Sequence, residues 1–401
     1  MGINIYTPFV VLTSMKLRPM NRKILHLFDD EKVVNRTIES FEKVFPGRNV
    51  YCCFVDGQPQ KVSRHEHLYW VDNASLEVKA DLSDVAVVVI HLLSYKKCLF
   101  VEKHVKPGVP VYWLMWGADY YNMLLVYKGF HMFYQPRFLG FRYDVKKLLY
   151  KLGYKNHSQK VYEQFIQHRV THCVTNKFDF ALCKQYIPTL FAKIEKNEYS
   201  FFYYPIDKIL GKELMQKEVC GNVILIGNSS SVTNNHCYAF EYLKKMNLDG
   251  RVIVTPLNYG ANTRYKEYVI KKGKEYFRDK YRPLLEFLPL DEYNRLLLRA
   301  EICIFPHWRQ EGNGNIIIAL YLGAKVFMSN RSSLFSYYKD MGLVLYELEK
   351  IDSEQLRTPL DSSVRKRNRE ILIERYNLDT QLTNIRKIWG TYLEADKQAG
   401  V

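Results

Sequence analysis

Short, continuously apolar runs alternate along the chain with polar stretches of helical period. In the first half the runs cover residues 23–28, 49–55, 85–93, 109–115 and 171–175, and the apolar positions of 32–44 recur as on an amphipathic helix. Strands apolar at consecutive positions are covered on both faces, which predicts a parallel sheet between helical layers. Strands that alternate with helices predict a doubly wound sheet. The same order restarts after about residue 205, with runs at 222–227, 251–255, 286–289, 301–305, 324–329 and 342–346. The stretch 193–214, polar and aromatic without a clear period, reads as the linker. Residues 1–22 read as an appendage, 23–200 and 201–362 as two Rossmann-like parallel-sheet α/β domains facing a cleft, and 363–401 as a charged helical tail packing back on the first domain. A chain of 401 residues suits two such domains better than one core.

Charge narrows the range of partners. The 58 basic residues against 42 acidic ones give a formal net charge of +16, which attracts anions: nucleic acid, lipid head groups or a nucleotide-sugar pyrophosphate. No zinc finger, helix-turn-helix signature or arginine-rich arm accompanies it, so nucleic acid is not the expected partner. The 31 tyrosines suit carbohydrate and membrane-interface contacts as well as core packing. The eight cysteines lack paired metal spacing, and several sit in apolar runs, as reduced buried thiols do. No apolar run reaches the roughly 18 residues of a membrane span, and the start lacks the basic front and cleavage site of a signal peptide.

Four constellations carry candidate chemistry. The run Glu311-Gly312-Asn313-Gly314-Asn315 follows the strand at 301–305 and opens an apolar helix. Glycines admit a phosphate close to the backbone, and a helix start near Asn313 presents free N–H groups and a positive dipole end. Glu311 is placed to accept hydrogen bonds from ribose or sugar hydroxyls, and Tyr259 and Arg309 to contact the diphosphate. Asp291 reads as the N-cap of the helix before that strand. Gly227-Asn228-Ser229-Ser230-Ser231 forms a second small polar turn at a strand end, where open α/β sheets bind ligands, with His236 as phosphate contact or surface histidine. Trp116-Gly117-Ala118-Asp119 ends a strand of the first half. Asp119 is either a cap or a cleft-facing base for an acceptor hydroxyl, with His91 as the alternative base or a buried structural histidine. Residues 128–160 interleave aromatics and leucines with Arg137, Arg142, Lys146, Lys147 and Lys151, which suits a helix lying on an anionic membrane surface, or else a solvated face.

Residues 284–330 resemble the nucleotide-sugar half of GT-B glycosyltransferases. More closely, the chain resembles the dTDP-N-acetylfucosamine:lipid II N-acetylfucosaminyltransferases, the 4-acetamido-4,6-dideoxygalactosyltransferases of enterobacterial common antigen synthesis. Asn35-Arg36-Thr37, Trp116 to Asp119, Ile226 to Ser229, the stretch 254–268 with Tyr259, and Gly312-x-Gly314 carry the likeness, in the family's order. The resemblance implies a GT-B fold, an acceptor-binding first domain and a second domain that binds a dTDP- or UDP-type nucleoside-diphosphate sugar. It also implies a polyprenyl-diphosphate-linked acceptor and a peripheral enzyme at the cytoplasmic face of the bacterial inner membrane, in surface polysaccharide synthesis. The chain departs from the family in the loop after Tyr259 and in its start before Met20. It also departs from retaining GT-B enzymes, many of which carry a second glutamate eight residues after the first, where this chain has Ala319. With no Asp-x-Asp pair to hold a divalent ion, the expected route uses no metal or other cofactor. The alternatives are an epimerase-type enzyme on soluble nucleotide sugar and a non-enzymatic binder of polyanions or anionic lipid.

Overall fold

A computed structural model describes residues 22–394 apart from 135–136 and 261–262, so the appendage at 1–21 lies outside the described residues. The first sheet joins β1 (Lys23–Asp29), β2 (Asn49–Val55), β3 (Leu68–Asp72), β4 (Val85–His91), β5 (Val111–Leu114), β6 (His172–Val174) and β7 (Glu195–Lys196) in the order β3-β2-β1-β4-β5-β6-β7. The second joins β8 (Val223–Ile226), β9 (Val252–Pro256), β10 (Tyr281–Leu284), β11 (Ile302–Phe305), β12 (Lys325–Met328) and β13 (Tyr346–Glu347) in the order β10-β9-β8-β11-β12-β13. Neighbouring strands in both sheets run parallel. Each sheet is buried on both faces, as the unbroken Val and Ile runs require. Leu25, Val88 and Ile90 face one core of the first domain, while Ile24, Val87 and Val89 face the other.

Helix α1 (Val34–Val44) covers the first sheet, and α2 (Arg137–Lys151) lies at the rim of that domain. In the second domain α3 (Asn313–Tyr321) follows β11 and buries Ile316, Ile317 and Leu320. The tail is two helices rather than one. Helix α4 (Ser362–Tyr376) packs Leu372 and Tyr376 into the second core, and after Asn377 helix α5 (Leu378–Glu394) returns Ile385, Ile388 and Trp389 to the first.

Three local expectations are corrected, and one strand is added. The second domain's edge strand is 281–284, not 286–289; the Arg and Pro inside it hide its pattern, and an edge position tolerates the proline. The cap before residues 290–299 is Pro289, with Asp291 inside the first turn. The 193–214 stretch contains β7 and the helix Ile206–Leu214, whose Ile206 and Leu210 belong to the second core. Leu68–Asp72, a short and half-buried edge segment without a continuous apolar run, is the strand β3. All eight cysteines are free, and only Cys220 is exposed.

Candidate donor site and interdomain cleft

In the second sheet the chain builds β8, β9 and β10 outward, then returns to lay β11 against the other side of β8. The carboxyl ends of β8 and β11 flank this reversal, the position where doubly wound sheets leave a crevice for ligands. Gly227, Asn228 and Ser229 leave β8 there; His307 to Gly312 leave β11 and enter α3. Gly312 caps α3 with φ 71°, a left-handed conformation natural to glycine, and a Cβ on it would lie 3.0 Å from Asn228 Oδ1 and 3.1 Å from His307 Cε1. Ile316 N is bonded to Gly312 O, so the N–H groups of Asn313, Gly314 and Asn315 lie in the first turn, without acceptors inside the helix.

A hydrogen-bonded clamp joins the two turns. Asn234 Oδ1 accepts from the N–H groups of Asn228 (2.7 Å) and Ser229 (3.2 Å), while its Nδ2 donates to Glu311 Oε1 (3.0 Å). The Thr233 hydroxyl and the Arg309 guanidinium, 3.1 Å away, hold Glu311 Oε2. Burial pushes the Glu311 carboxyl up, but Arg309, His307 and Thr233 outweigh it and hold it below the usual value. Glu311 is therefore not a free acceptor for sugar hydroxyls, as the sequence suggested; both its oxygens are engaged by the protein. The N–H groups of Asn228 and Ser229 are likewise taken by Asn234, and no helix starts directly at that turn. His236 is no surface group: it is fully buried, with Nδ1 3.0 Å from the Tyr265 hydroxyl. Tyr259 is exposed beyond β9, and its carbonyl accepts from Ser230 N.

Buried polar atoms without partners collect here. They are Asn228 Oδ1, His236 Nε2 and both ring nitrogens of His307. Such atoms are costly to leave unpaired, and their concentration at one spot makes it the candidate ligand site. His307 escaped the sequence reading; its signal was its position just past the carboxyl end of a central strand. Thr233 and Asn234 gave no signal, because their role depends on a fold-back of the chain.

The first domain contributes two expected residues in unexpected roles. Asp119 does not face the cleft. Its carboxylate is buried and accepts from Trp113 Nε1 (2.6 Å), Trp116 N (3.0 Å) and Leu93 N (3.2 Å). Burial pushes it up to about 6 against those three donors. His91 ends β4 but is also buried, with Nε2 3.2 Å from His26 Nδ1 and Nδ1 2.7 Å from the Tyr203 hydroxyl, and burial holds it well below its usual value. Trp116 Nε1 donates to the same hydroxyl at 2.7 Å, so both residues organise the strand ends and anchor the interdomain segment.

The domains touch directly. Tyr120 OH donates to Gln310 Oε1 (2.6 Å), Tyr134 N to Asn235 Oδ1 (3.0 Å) and Tyr121 OH to Ser333 Oγ (3.2 Å). The Tyr204 ring lies 3.4 Å from where a Gly314 side chain would begin, and Lys32 Nζ sits 4.2 Å over Phe287. Farther out, helix α2 and the turn after it expose Phe141, Leu148, Leu152 and Tyr154. Lys151 is exposed and Lys147 half-buried, while the side chains of Arg137, Arg142 and Lys146 lie outside the described residues. Among the described residues no helix is long and apolar enough to cross a membrane.

The 4-alpha-L-fucosyltransferase family, glycosyl transferase group 56, matches residues 142–362, more than half of the chain. The chain belongs to this family. It is similar in fold to sucrose-phosphate synthase from Thermosynechococcus elongatus (TM-score 0.60, 10% identity, covering 93% of this chain and 100% of that one). It is similar also to an alpha,alpha-trehalose-phosphate synthase (UDP-forming) from Burkholderia vietnamiensis (0.57, 11%, 93% and 100%) and to Anabaena HepE in complex with UDP and glucose (0.58, 9%, 92% and 100%). The fold is GT-B, and this fucosyltransferase-family member is a nucleotide-sugar glycosyltransferase.

Proposed function

We propose that this family member moves a hexose of the deoxy class, such as a 4-acetamido-4,6-dideoxyhexose, from a dTDP- or UDP-type donor to a polyprenyl-diphosphate-linked glycan at the cytoplasmic face of a bacterial inner membrane. The observation that carries the donor half is the set of unpartnered buried polar atoms at the β8–β11 reversal, beside the open first turn of α3. The acceptor oxygen attacks the anomeric carbon, its proton passes to a base, and the bond from that carbon to the diphosphate breaks. Arg309 and the N–H groups of residues 313–315 meet the charge developing on the leaving diphosphate, without a metal ion. UDP-glucose bound to the similarly folded Anabaena HepE is consistent with a UDP-type donor. The exposed apolar residues of α2, beside Lys147 and Lys151, supply a surface for an anionic membrane that delivers the lipid-linked acceptor.

Thermal stabilisation by dTDP, UDP, GDP and CMP tests the donor half. One nucleoside diphosphate should raise the melting temperature specifically, and Gly314→Asp should abolish the shift, since a carboxylate would stand in the anion's field. No shift from any of the four would refute the site.

A further inference from the structure

We propose that His307 is a contact of the donor diphosphate that is neutral in the free protein and takes up a proton as the diphosphate seats on the α3 N-terminus. The inference rests on the donor-site reading above and adds a residue and a proton to it.

Geometry carries the argument. His307 stands two residues past the end of β11, at the sheet reversal, and none of its surface is exposed. Neither ring nitrogen has a well-formed partner, and the one backbone group acting on the ring is that of Glu311, so the imidazole keeps capacity that a purely structural histidine would use. Its Cε1 lies 3.1 Å from where a Gly312 side chain would start, so the ring is held against the N-cap of α3. Bulk at Gly312 would fill the space between the ring, the Asn228 amide and the helix start. An imidazole there has one nitrogen to donate and one to be protonated, the equipment to meet phosphate oxygens.

Electrostatics explain the proton. Burial holds the His307 ring down to about 4, while Glu311 raises it and Arg309 lowers it; His236, the other buried ring nearby, is itself neutral. A diphosphate brings negative charge beside the ring and reverses the balance, favouring the imidazolium. Uptake of a proton on binding requires that affinity rise as pH falls toward about 4, the value of the ring in the free protein.

The test is calorimetry of dTDP and UDP binding, in buffers of differing ionisation enthalpy, to the wild-type protein and to His307→Gln. The difference in protons taken up between the two cancels the titration of the nucleotide itself. The wild type should take up an additional fraction of a proton, and the variant should bind roughly tenfold more weakly at low pH with a smaller pH dependence. The His307 Cε1–H resonance should move toward its charged position on addition of nucleotide, a readout that does not depend on the variant. Nucleotide binding with equal proton uptake in both proteins, or with an unmoved His307 resonance, overturns this inference and leaves the donor site standing. Failure of the folded wild type to bind either nucleotide overturns the donor site, and this inference with it.

Discussion

Gly117 of the first domain and Gln310 of the second are so close that a Cβ on the glycine would sit 2.5 Å from the Gln310 carbonyl oxygen. Gly117 also has φ 99°, a conformation other residues rarely adopt. Gly117→Ala should therefore cost about 2–4 kcal/mol through strain and contact combined, and should lower turnover by pushing the Arg309–Glu311 turn away. Denaturant unfolding and transfer assays check this; a variant with wild-type stability and rate would show that the contact is not maintained in solution.

Glu311 and Arg309 form a nearly buried ion pair next to the open helix start. Removing one partner of such a pair strands the other charge, so Glu311→Ala should lose about 3–5 kcal/mol of stability. An anion in the crevice can take the place of the missing carboxylate. The cognate nucleoside diphosphate should therefore raise the melting temperature of Glu311→Ala more than that of the wild type. Equal shifts would mean that Arg309 does not reach the diphosphate.

Most strands were legible because parallel strands buried on both faces must be apolar throughout, as in Val85–His91. The Gly312 turn was legible because strand, glycine and helix follow one another in sequence. What stayed hidden depends on contacts between distant segments. Thr233 and Asn234 reach Glu311 across 78 and 77 positions, and Tyr203 reaches His91 across 112. For the same reason the sequence could offer Asp119 as a base. Its place at a strand end is right for one, but only the fold shows three N–H donors already turned on its carboxylate.

Three buried histidines set an acid limit on stability. Burial lowers His26 and His236 to about 3 and His307 to about 4, each below the value of about 6.5 expected when unfolded. The unfolded chain then binds more protons, so the stability these groups contribute is complete above about pH 6.5 and is lost as pH falls toward their folded values. Asp119, raised to about 6, and Asp179, also raised by its burial, act in the opposite sense over part of that range, against these three histidines and His91, which burial lowers as well. Unfolding free energy should fall by on the order of several kcal/mol between about pH 7 and about pH 4, beyond the loss in a His26→Gln, His236→Gln double variant that still folds. Parallel pH profiles for the two proteins would refute this source of acid sensitivity.

Leu148 and Leu152 are 59% and 63% exposed one helical turn apart on α2 and its end, with Phe141 65% exposed on the same helix. An exposed aromatic and two exposed leucines beside lysines are costly in water and favourable in a lipid interface, where each is worth up to about 1.5–3 kcal/mol when fully immersed. The protein should therefore partition onto vesicles containing anionic lipid and much less onto neutral ones, and added salt should weaken the association through the lysines. Leu148→Asp with Leu152→Asp should reduce that partition by at least about tenfold, because both substitutions replace apolar area with charge that the anionic surface repels. Nucleoside-diphosphate binding by the same variant should stay unchanged, since α2 lies outside the β8–β11 crevice. Vesicle sedimentation beside calorimetry separates the two effects. Undiminished partition of the double variant would refute α2 as the membrane face, and weakened nucleotide binding would show that its rim position is coupled to the donor site.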